Sequence, residues 1–317
     1  MHTFFKYLTL LALVGALTAC TRQIDMPLPE HQARLVANAL LVSDEPARIV
    51  VSRSFGMDEP YNGETIYLTD ATVTLSRDGQ TPETLAYDDL GEGKFGHFSS
   101  QAVVPGSRYV LEVSYPDYPA LRQEMVMPTR PQVTGIRGEL GVRLDPLGNR
   151  IDEIAYDLLD PADTANYYAL AVRFWPDSAN ANTPLPSLHY WVPLGSSGIP
   201  YPDPIGELAQ GYEVISDEEF DGQAVSVRFE SALLGGFGRY TFTEDELRQG
   251  YFVLELISLN EPAYRFGKTL QAHQSSRTFL YLTSFGQHQF PITMYTNAEG
   301  GYGVFMGQTV RVDTLRW

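Results

Sequence analysis

Cysteine is almost absent from this sequence, in which Cys20 is the single cysteine among 317 residues. One thiol allows no disulfide within the chain and no Cys-x-x-Cys motif, so the fold must be stabilised by its core. Histidine offers no familiar metal motif either, because no two histidines are four residues apart and no His-Glu-x-x-His sequence occurs. We therefore predict no metal site, no cofactor and no catalytic residues, and we do not expect an enzyme.

Positive charge is also scarce. The chain has 22 lysine and arginine residues against 39 aspartate and glutamate residues, which gives a net charge of −17. A surface of this sign repels phosphate backbones, so we expect no nucleic-acid partner.

The sequence begins with a short basic and apolar leader. Lys6 precedes an apolar run from Tyr7 to about Ala16, and this run is shorter than the roughly 20 residues that a membrane-spanning helix needs. Leu17-Thr18-Ala19-Cys20 then closes the run with small residues before the cysteine, which is the pattern of a lipoprotein box. We predict a signal peptide over residues 1–19.

Processing of this leader would leave a lipid-anchored protein. We predict cleavage between Ala19 and Cys20, a diacylglycerol on the Cys20 thiol, and a further acyl chain such as palmitate on the new amine. Two or more acyl chains anchor a protein firmly, and residues 20–30 would form the tether. Thr21 rather than aspartate follows the cysteine, which favours the outer membrane and leaves its periplasmic and surface faces both open.

Residues 31–128 show short segments in which apolar and polar residues alternate. In the segment 108–115, for example, Tyr109, Leu111 and Val113 share one face. Seven such segments separated by turn residues predict an antiparallel sandwich of immunoglobulin-like or prealbumin-like type. The other six segments are residues 35–42, 47–54, 71–75, 84–87, 94–98 and 121–127.

One motif in this region imitates a nucleotide-binding loop. Residues 91–96 read Gly-Glu-Gly-Lys-Phe-Gly and match the pattern G-x-G-x-x-G. A phosphate-binding loop needs a helix N-terminus after the glycines, whereas aromatic residues typical of a strand follow here. We therefore predict a glycine-rich hairpin.

Residues 132–317 form a second predicted domain, since about 300 residues suit two domains better than one. Two prolines at 128–131 indicate the linker. Strand patterns dominate this half, so it is predicted to be mainly β with one or two short helices. Asn260 can cap one helix, with Pro262 in its first turn. Further strands are expected at the end of the chain, over residues 279–282, 293–296 and 302–311.

An acidic loop, Asp160-Pro161-Ala162-Asp163, separates two of these strand patterns. Such a loop suits calcium, which takes six to eight oxygen ligands, but its spacing does not fit an EF-hand loop. Turns formed by the aspartate side chains explain the same residues without an ion. We favour the turns as the simpler explanation, and the calcium alternative stays open.

Residues 176–211 are rich in proline, serine, asparagine and glycine, and loops of this length are often functional. Five large side chains lie in this segment or beside it: Trp175, His189, Tyr190, Trp191 and Tyr201. Exposed aromatic rings could stack on sugars or contact a partner protein, while the alternative is that they cover a sheet edge.

Five segments resemble one family in their order and spacing. They are Asp-Ala-Thr-Val-Thr-Leu at 70–75, Pro-Gly-Ser-Arg-Tyr-Val-Leu at 105–111, Ser-Asp-Glu-Glu-Phe-Asp-Gly at 216–222, Leu-Asn-Glu-Pro-Ala-Tyr at 259–264, and Tyr-Thr-Asn-Ala-Glu-Gly-Gly-Tyr-Gly-Val-Phe at 295–305. Together with the lipobox, they make the chain resemble the DUF4249 family of lipoproteins. The resemblance implies an outer-membrane lipoprotein that is often encoded beside a TonB-dependent transporter, and it supplies no catalytic residues.

From these observations we expect a lipid-anchored envelope protein whose partners are the membrane and a TonB-dependent β-barrel transporter. Its role would be that of an accessory or binding subunit. The alternative is a free-standing lipoprotein that binds carbohydrate, or cleaves it. The absence of an active-site motif favours the first hypothesis.

Overall fold

The structure is a computed structural model of the chain. It describes residues 31–56, 66–91, 94–144, 148, 150–162, 164–175, 190–192, 215–218, 220–231, 249–282 and 293–316. The chain divides into two compact units, of which one contains residues 33–54 and 65–317. The other unit, residues 1–32 and 55–64, lies almost entirely outside the described ranges.

The described residues form seventeen strands and one long helix. In chain order they are β1 (Leu35–Val42), β2 (Pro46–Arg53), β3 (Thr72–Arg77), β4 (Glu83–Thr84), β5 (Ala86–Asp89), β6 (Phe95–Ala102), β7 (Arg108–Ser114), β8 (Leu121–Val126), β9 (Gln132–Leu144), β10 (Arg150–Leu159), β11 (Tyr167–Trp175), β12 (Tyr190–Val192), β13 (Ile215–Ser216), β14 (Ala224–Ser231), β15 (Tyr251–Leu259), α1 (Glu261–Leu282), β16 (Ala298–Glu299) and β17 (Phe305–Leu315).

These strands build three sheets. The largest has nine strands in the order β12-β11-β15-β17-β1-β2-β6-β5, with β13 also paired to β11. A five-stranded sheet has the order β16-β8-β7-β3-β4, and a three-stranded sheet has the order β14-β10-β9. The prediction of a mainly β protein with sandwich-like antiparallel sheets is therefore confirmed.

The predicted alternation of residues explains the core of the sandwich. Tyr109, Leu111 and Val113 of β7 are all buried, at 4%, 0% and 1% exposure, while the residues between them are more exposed. They pack in one hydrophobic cluster with residues of β1 and β2, such as Leu41 and Ile49. A strand with one face in water and one in the core produces this period of two.

The glycine-rich motif at 91–96 is part of a hairpin, as predicted. Strands β5 and β6 pair in antiparallel fashion on either side of it, with Asp89 opposite Phe95. The turn is closed by backbone hydrogen bonds between Leu90 and Lys94 (2.9 Å) and between Lys94 and Gly91 (2.8 Å). No helix follows the glycines, so this turn presents no helix N-terminus to a phosphate.

The first and last strands of the described chain lie side by side. β1 pairs with β17 in parallel, with Ala39 opposite Phe305 and Val42 opposite Gln308. Thr309 also donates a hydrogen bond from its hydroxyl to the carbonyl of Thr129, in the predicted linker (2.9 Å). The large sheet thus contains strands from both sides of residues 128–131, and a division into domains at 31–128 and 132–317 stays a prediction.

The segment 84–87, predicted as one strand, instead changes sheet. β4 pairs with β3 in the five-stranded sheet, while β5 pairs with β6 in the nine-stranded sheet. Leu85 lies between them, is buried, and donates its backbone N–H to the carbonyl of Val73 (2.9 Å). The chain therefore passes from one sheet to the other at Leu85, which is buried inside the sandwich.

Helix α1 begins where the cap was predicted. The Oδ1 atom of Asn260 accepts a hydrogen bond from the backbone N–H of Ala263 at 3.1 Å, which is the geometry of an N-cap. Ala263 and Phe266 are buried and form part of the helix's apolar stripe. With 22 residues, the helix is much longer than the short helix expected.

Two predicted strands near the C-terminus were wrong. Residues 279–282 are the last turn of α1, because a run of apolar residues does not by itself distinguish strand from helix. Residues 293–296 form no strand; the paired segment is β16, which follows them and lies against β8. Of the helices in the described ranges, none has the length and apolar character needed to cross a membrane.

Candidate functional site

The structure places only some of the predicted site residues. Ala19, Cys20, His189 and Tyr201 lie outside the described residues, as does most of the segment 176–211. The lipid-attachment site and the greater part of the predicted contact surface therefore stay predictions.

Three of the predicted aromatic residues lie on neighbouring strands. Trp175 ends β11, and both Tyr190 and Trp191 belong to β12. The two strands pair in antiparallel register, with Phe174 opposite Tyr190 and Arg173 opposite Trp191. β12 is the edge strand of the nine-stranded sheet, so Trp175, Tyr190 and Trp191 lie near that edge.

The described residues contain one cluster of side chains that sequence reasoning did not assemble. Asp160, Asp217 and Asp221 each bring a carboxylate oxygen to a common point, where these atoms lie within 4.8 Å of one another. Asp160 and Asp217 are both 3% exposed, whereas Asp221 is at the surface. We refer to these three residues as the aspartate cluster.

Strand pairing explains how the cluster forms. β10 pairs with β14, so that Leu159 lies opposite Ala224 and the backbone N–H of Asp160 donates to the carbonyl of Gln223 (3.1 Å). β13 pairs with the start of β11, with Ser216 opposite Tyr167. The turn between β13 and β14 is therefore held against the connection between β10 and β11.

Both carboxylate oxygens of Asp160 accept hydrogen bonds. The phenol of Tyr168 donates to Oδ1 at 2.6 Å, and the backbone N–H of Gly222 donates to Oδ2 at 3.0 Å. Burial raises the pKa of the Tyr168 phenol, and its hydrogen bond to Asp160 raises the pKa further. The phenol therefore keeps its proton and remains a donor across the physiological range.

Among the described residues, hydrogen bonds reach only one of the two carboxylate oxygens of Asp217. Its Oδ2 accepts hydrogen bonds from the backbone N–H of Asn166 at 2.7 Å and from the side-chain amide of the same residue at 3.2 Å. Burial raises the pKa of Asp217, and the negative charges of Asp160 and Asp221 raise it too, while the Asn166 donors oppose the shift. Two buried carboxylates are thus close together, and the described residues that hydrogen-bond to them are all neutral.

Such a group of oxygens has two chemical properties. It lowers its own electrostatic repulsion by taking up a proton or a cation, and its all-oxygen composition matches the ligands that calcium prefers. The acidic loop predicted from the sequence contributes Asp160, while Asp163 lies outside the described residues. Asp217 and Asp221 were missed as partners, although both lie in the segment 216–222 that carried the family resemblance.

One cleft lies elsewhere in the described part of the chain, between the β3–β4 hairpin and β6. Its volume is about 80 Å³, and its lining includes Arg77, Glu83 and Gln101. Pockets that enclose a small-molecule ligand usually measure about 300–1,000 Å³. The cleft is therefore too small to enclose a sugar ring.

Comparison with known proteins bears on identity rather than on chemistry. No curated protein matches the chain. One family, described as a domain of unknown function (DUF4249), matches residues 21–314, which is nearly the whole sequence. The chain therefore belongs to the DUF4249 family.

Proposed function

We propose that this protein is a lipid-anchored component of the outer membrane that serves as an accessory or binding subunit of a TonB-dependent transport system. The observation that carries the lipid-anchor part of the proposal is where the family match begins, while the transport role rests on the family resemblance. It starts at residue 21, directly after Cys20, so the apolar leader lies outside the part of the chain that the family shares. This position supports a leader that is removed and a cysteine that becomes the first residue of the mature chain.

The described residues also suit a binding role. The aspartate cluster has hydrogen bonds to Tyr168, Asn166 and Gly222 that hold the turns around it together. A rigid β scaffold that displays long loops is well suited to hold a partner, because loops vary without disturbing the core.

We place the partner contact on the segment 176–211. Trp175 and β12 flank or interrupt this segment, and β12 is the edge strand of the nine-stranded sheet. Aromatic residues are enriched at the centre of protein interfaces. The expected contact residues are Trp175, His189, Tyr190, Trp191 and Tyr201.

The first experiment tests the lipid anchor. In a Cys20→Ala variant no thiol remains to accept the lipid, so we expect a full-length, unlipidated precursor. Intact mass and detergent partitioning measure both properties. Cleavage after Ala19 together with unchanged partitioning would show that the lipobox assignment is wrong.

The second experiment tests the partner. Native membranes are treated with a cleavable crosslinker, the protein is purified, and the captured proteins are identified by mass spectrometry. We expect a TonB-dependent β-barrel with the intact chain, and its loss when residues 193–211 are shortened. This deletion leaves β12 in place, and an unchanged unfolding transition provides the control for folding.

The same samples test the rival hypothesis of a carbohydrate-binding lipoprotein. Capture of no β-barrel, combined with saturable glycan binding that Trp191→Ala abolishes, would replace the transport hypothesis. Trp191 is a suitable position because it lies on β12, beside Arg173 of β11. Release of shorter glycans by the protein would further contradict the proposal of a non-catalytic subunit.

A further inference from the structure

Strand directions define two opposite ends of the nine-stranded sheet. β1 runs parallel to β17, and β11 does too, because β15 is antiparallel to both β11 and β17. The chain enters β1 at Leu35, whose carbonyl accepts a hydrogen bond from the backbone N–H of Tyr302 (2.9 Å). β11 ends at the opposite end of the sheet, where Phe174 is opposite Phe252 and Phe252 is opposite Leu315. We call these the tether end and the distal end.

The two ends are far apart. β17 alone has 11 residues, which corresponds to roughly 35 Å at about 3.3 Å per residue. Fourteen residues separate Cys20 from Leu35. For comparison, a coil of that length has an r.m.s. end-to-end distance of about 20 Å. A lipid on Cys20 therefore favours an arrangement in which the tether end, rather than the distal end, is near the membrane.

The tether end carries exposed apolar side chains. Tyr302, Val36, Ser52 and Tyr67 form one row of paired residues across the sheet. The two tyrosines at the ends of this row are 43% and 42% exposed, respectively. Leu90, in the adjacent turn between β5 and β6, is 61% exposed. We refer to Tyr67, Leu90 and Tyr302 as the apolar rim.

Two cationic side chains accompany the rim. The guanidinium of Arg34 lies over the ring of Tyr302, 5.7 Å from its centroid. Lys94 is exposed in the same turn as Leu90, and it is one of only three lysines in the sequence. Asp89 is also exposed there, so the charges at this end are mixed rather than purely positive. Tyrosine with arginine or lysine is typical of the interface between a bilayer and water.

We propose that the tether end lies against the zwitterionic phospholipid headgroups of the membrane that holds the lipid, with the apolar rim in contact with them. This inference rests on the lipid attachment to Cys20 proposed above. It directs the distal end, and with it the end of β11, away from that membrane. A phospholipid layer fits the rim because aromatic and aliphatic side chains gain free energy at the headgroup boundary without requiring an anionic ligand.

Fluorescence energy transfer tests this orientation. The full lipidated chain is placed in phosphatidylcholine vesicles that carry an acceptor on a fraction of the headgroups. Because Cys20 is the only cysteine and its thiol carries the lipid, an introduced cysteine is the only free thiol for a donor dye. Glu299→Cys labels the tether end and Thr314→Cys labels the distal end, and both positions are exposed. We expect transfer several-fold stronger from position 299; equal or reversed transfer overturns the proposal.

A pair of matched variants tests the rim itself. Leu90→Asp and Val312→Asp each place a charge at a position that is 61% exposed in the native chain. We expect Leu90→Asp to reduce the difference between the two transfer efficiencies and Val312→Asp to leave their ratio unchanged. A ratio that Leu90→Asp does not alter overturns the contact.

Intact mass separates the possible failures. If the chain is lipidated but transfer from both labels is equal, the proposed orientation is wrong and the proposed anchor is unaffected. A chain that carries no lipid overturns both the anchor and the orientation.

Discussion

Asn297 exchanges two hydrogen bonds with the backbone of Phe305. Its side-chain Nδ2 donates to the carbonyl of Phe305 at 2.9 Å, and its Oδ1 accepts from the N–H of Phe305 at 2.9 Å. Phe305 is the first residue of β17 and is fully buried in the sandwich core. The asparagine therefore acts as a short substitute for a neighbouring strand and helps to determine where β17 begins.

Removal of this side chain should destabilise the protein. Each of the two hydrogen bonds is worth about 1 kcal/mol, so we expect Asn297→Ala to lower the free energy of unfolding by about 2 kcal/mol. Urea unfolding provides the measurement. Gln80→Ala, at an exposed turn position, is the control and should change stability by less than about 0.5 kcal/mol. If the two variants are equally stable, Asn297 does not have this role.

The glycines that follow Asn297 have a different function, which Gly303 illustrates. Its φ of +107° is unfavourable for other residues, and an added Cβ would overlap the carbonyl oxygen of Ala37 in β1. We expect Gly303→Ala to cost about 3 kcal/mol or more, because strain and overlap add.

Gly267 of α1 is the matched control for this substitution. Apart from the adjoining residues and backbone of α1 itself, no described atom lies within 4 Å of where its Cβ would be, and alanine is about 1 kcal/mol better than glycine in a helix. Gly267→Ala should therefore stabilise the protein by about that amount. Denaturant midpoints of the two glycine-to-alanine variants should shift in opposite directions, and a common direction would contradict the assignment.

These two examples explain why the C-terminal motif was recognisable but its purpose was not. The segment 295–305 carried much of the family resemblance, and the structure gives its asparagine and glycines packing roles between β1, β8 and β17. A sequence shows that Gly303 is a glycine, but not that Ala37 lies against it. Contacts between residues more than 260 positions apart have no local signal.

Local patterns were predicted far better than long-range pairings. The period of two along β7 and the cap of α1 at Asn260 each depend on a few neighbouring residues, and both were confirmed. The parallel pairing of β1 with β17 depends on the whole topology and was not foreseen.

The sequence did not predict the aspartate cluster, for the same reason. Asp160 and Asp217 are 57 residues apart, and only the pairing of β13 with β11 and of β14 with β10 brings them together. Their separate segments were each identified, one as an acidic loop and one as a family motif. Nothing in either segment indicates that they meet.

Acid should destabilise the sandwich through His97. This residue is 2% exposed, and burial lowers the pKa of its imidazole. Backbone oxygens of Ile49, Ala71 and Thr69 favour the protonated form, although none makes a hydrogen bond of good geometry. Because the unfolded chain then binds the proton more readily, stability from His97 is complete above about pH 6.5 and is lost as the pH falls.

His97→Phe should remove this pH dependence while it retains the edge-to-face contact that the ring makes with Tyr87, whose centroid is 5.5 Å away. Between pH 6.5 and 5 the native chain should lose at most about 2 kcal/mol more than the variant, which is the limit for one proton. Urea unfolding at a series of pH values measures the difference. Parallel curves for the two proteins would show that His97 is not the responsible group.

Asp217 should have the opposite pH dependence. Burial raises the pKa of its carboxyl, so the folded chain holds this proton more tightly than the unfolded chain does. The stabilisation is complete below the unfolded value of 3.8 and is lost as the pH rises through the folded value. In Asp217→Asn the amide oxygen still accepts a hydrogen bond from Asn166 and carries no charge. We therefore expect the stability of the variant, relative to the native chain, to increase as the pH rises from 4 to 7.

A second aspartate provides a control of opposite sign for that experiment. Asp78 accepts a hydrogen bond from the backbone N–H of Arg108 at 2.8 Å, and this bond lowers the pKa of the Asp78 carboxyl. Its stabilisation is present above 3.8 and is lost at lower pH, so the stability of Asp78→Asn relative to the native chain should fall as the pH rises. Both difference curves are measured by urea unfolding in buffer free of divalent cations, because a bound cation would offset the repulsion within the aspartate cluster. Curves that rise or fall together would contradict the buried, uncompensated charge assigned to Asp217.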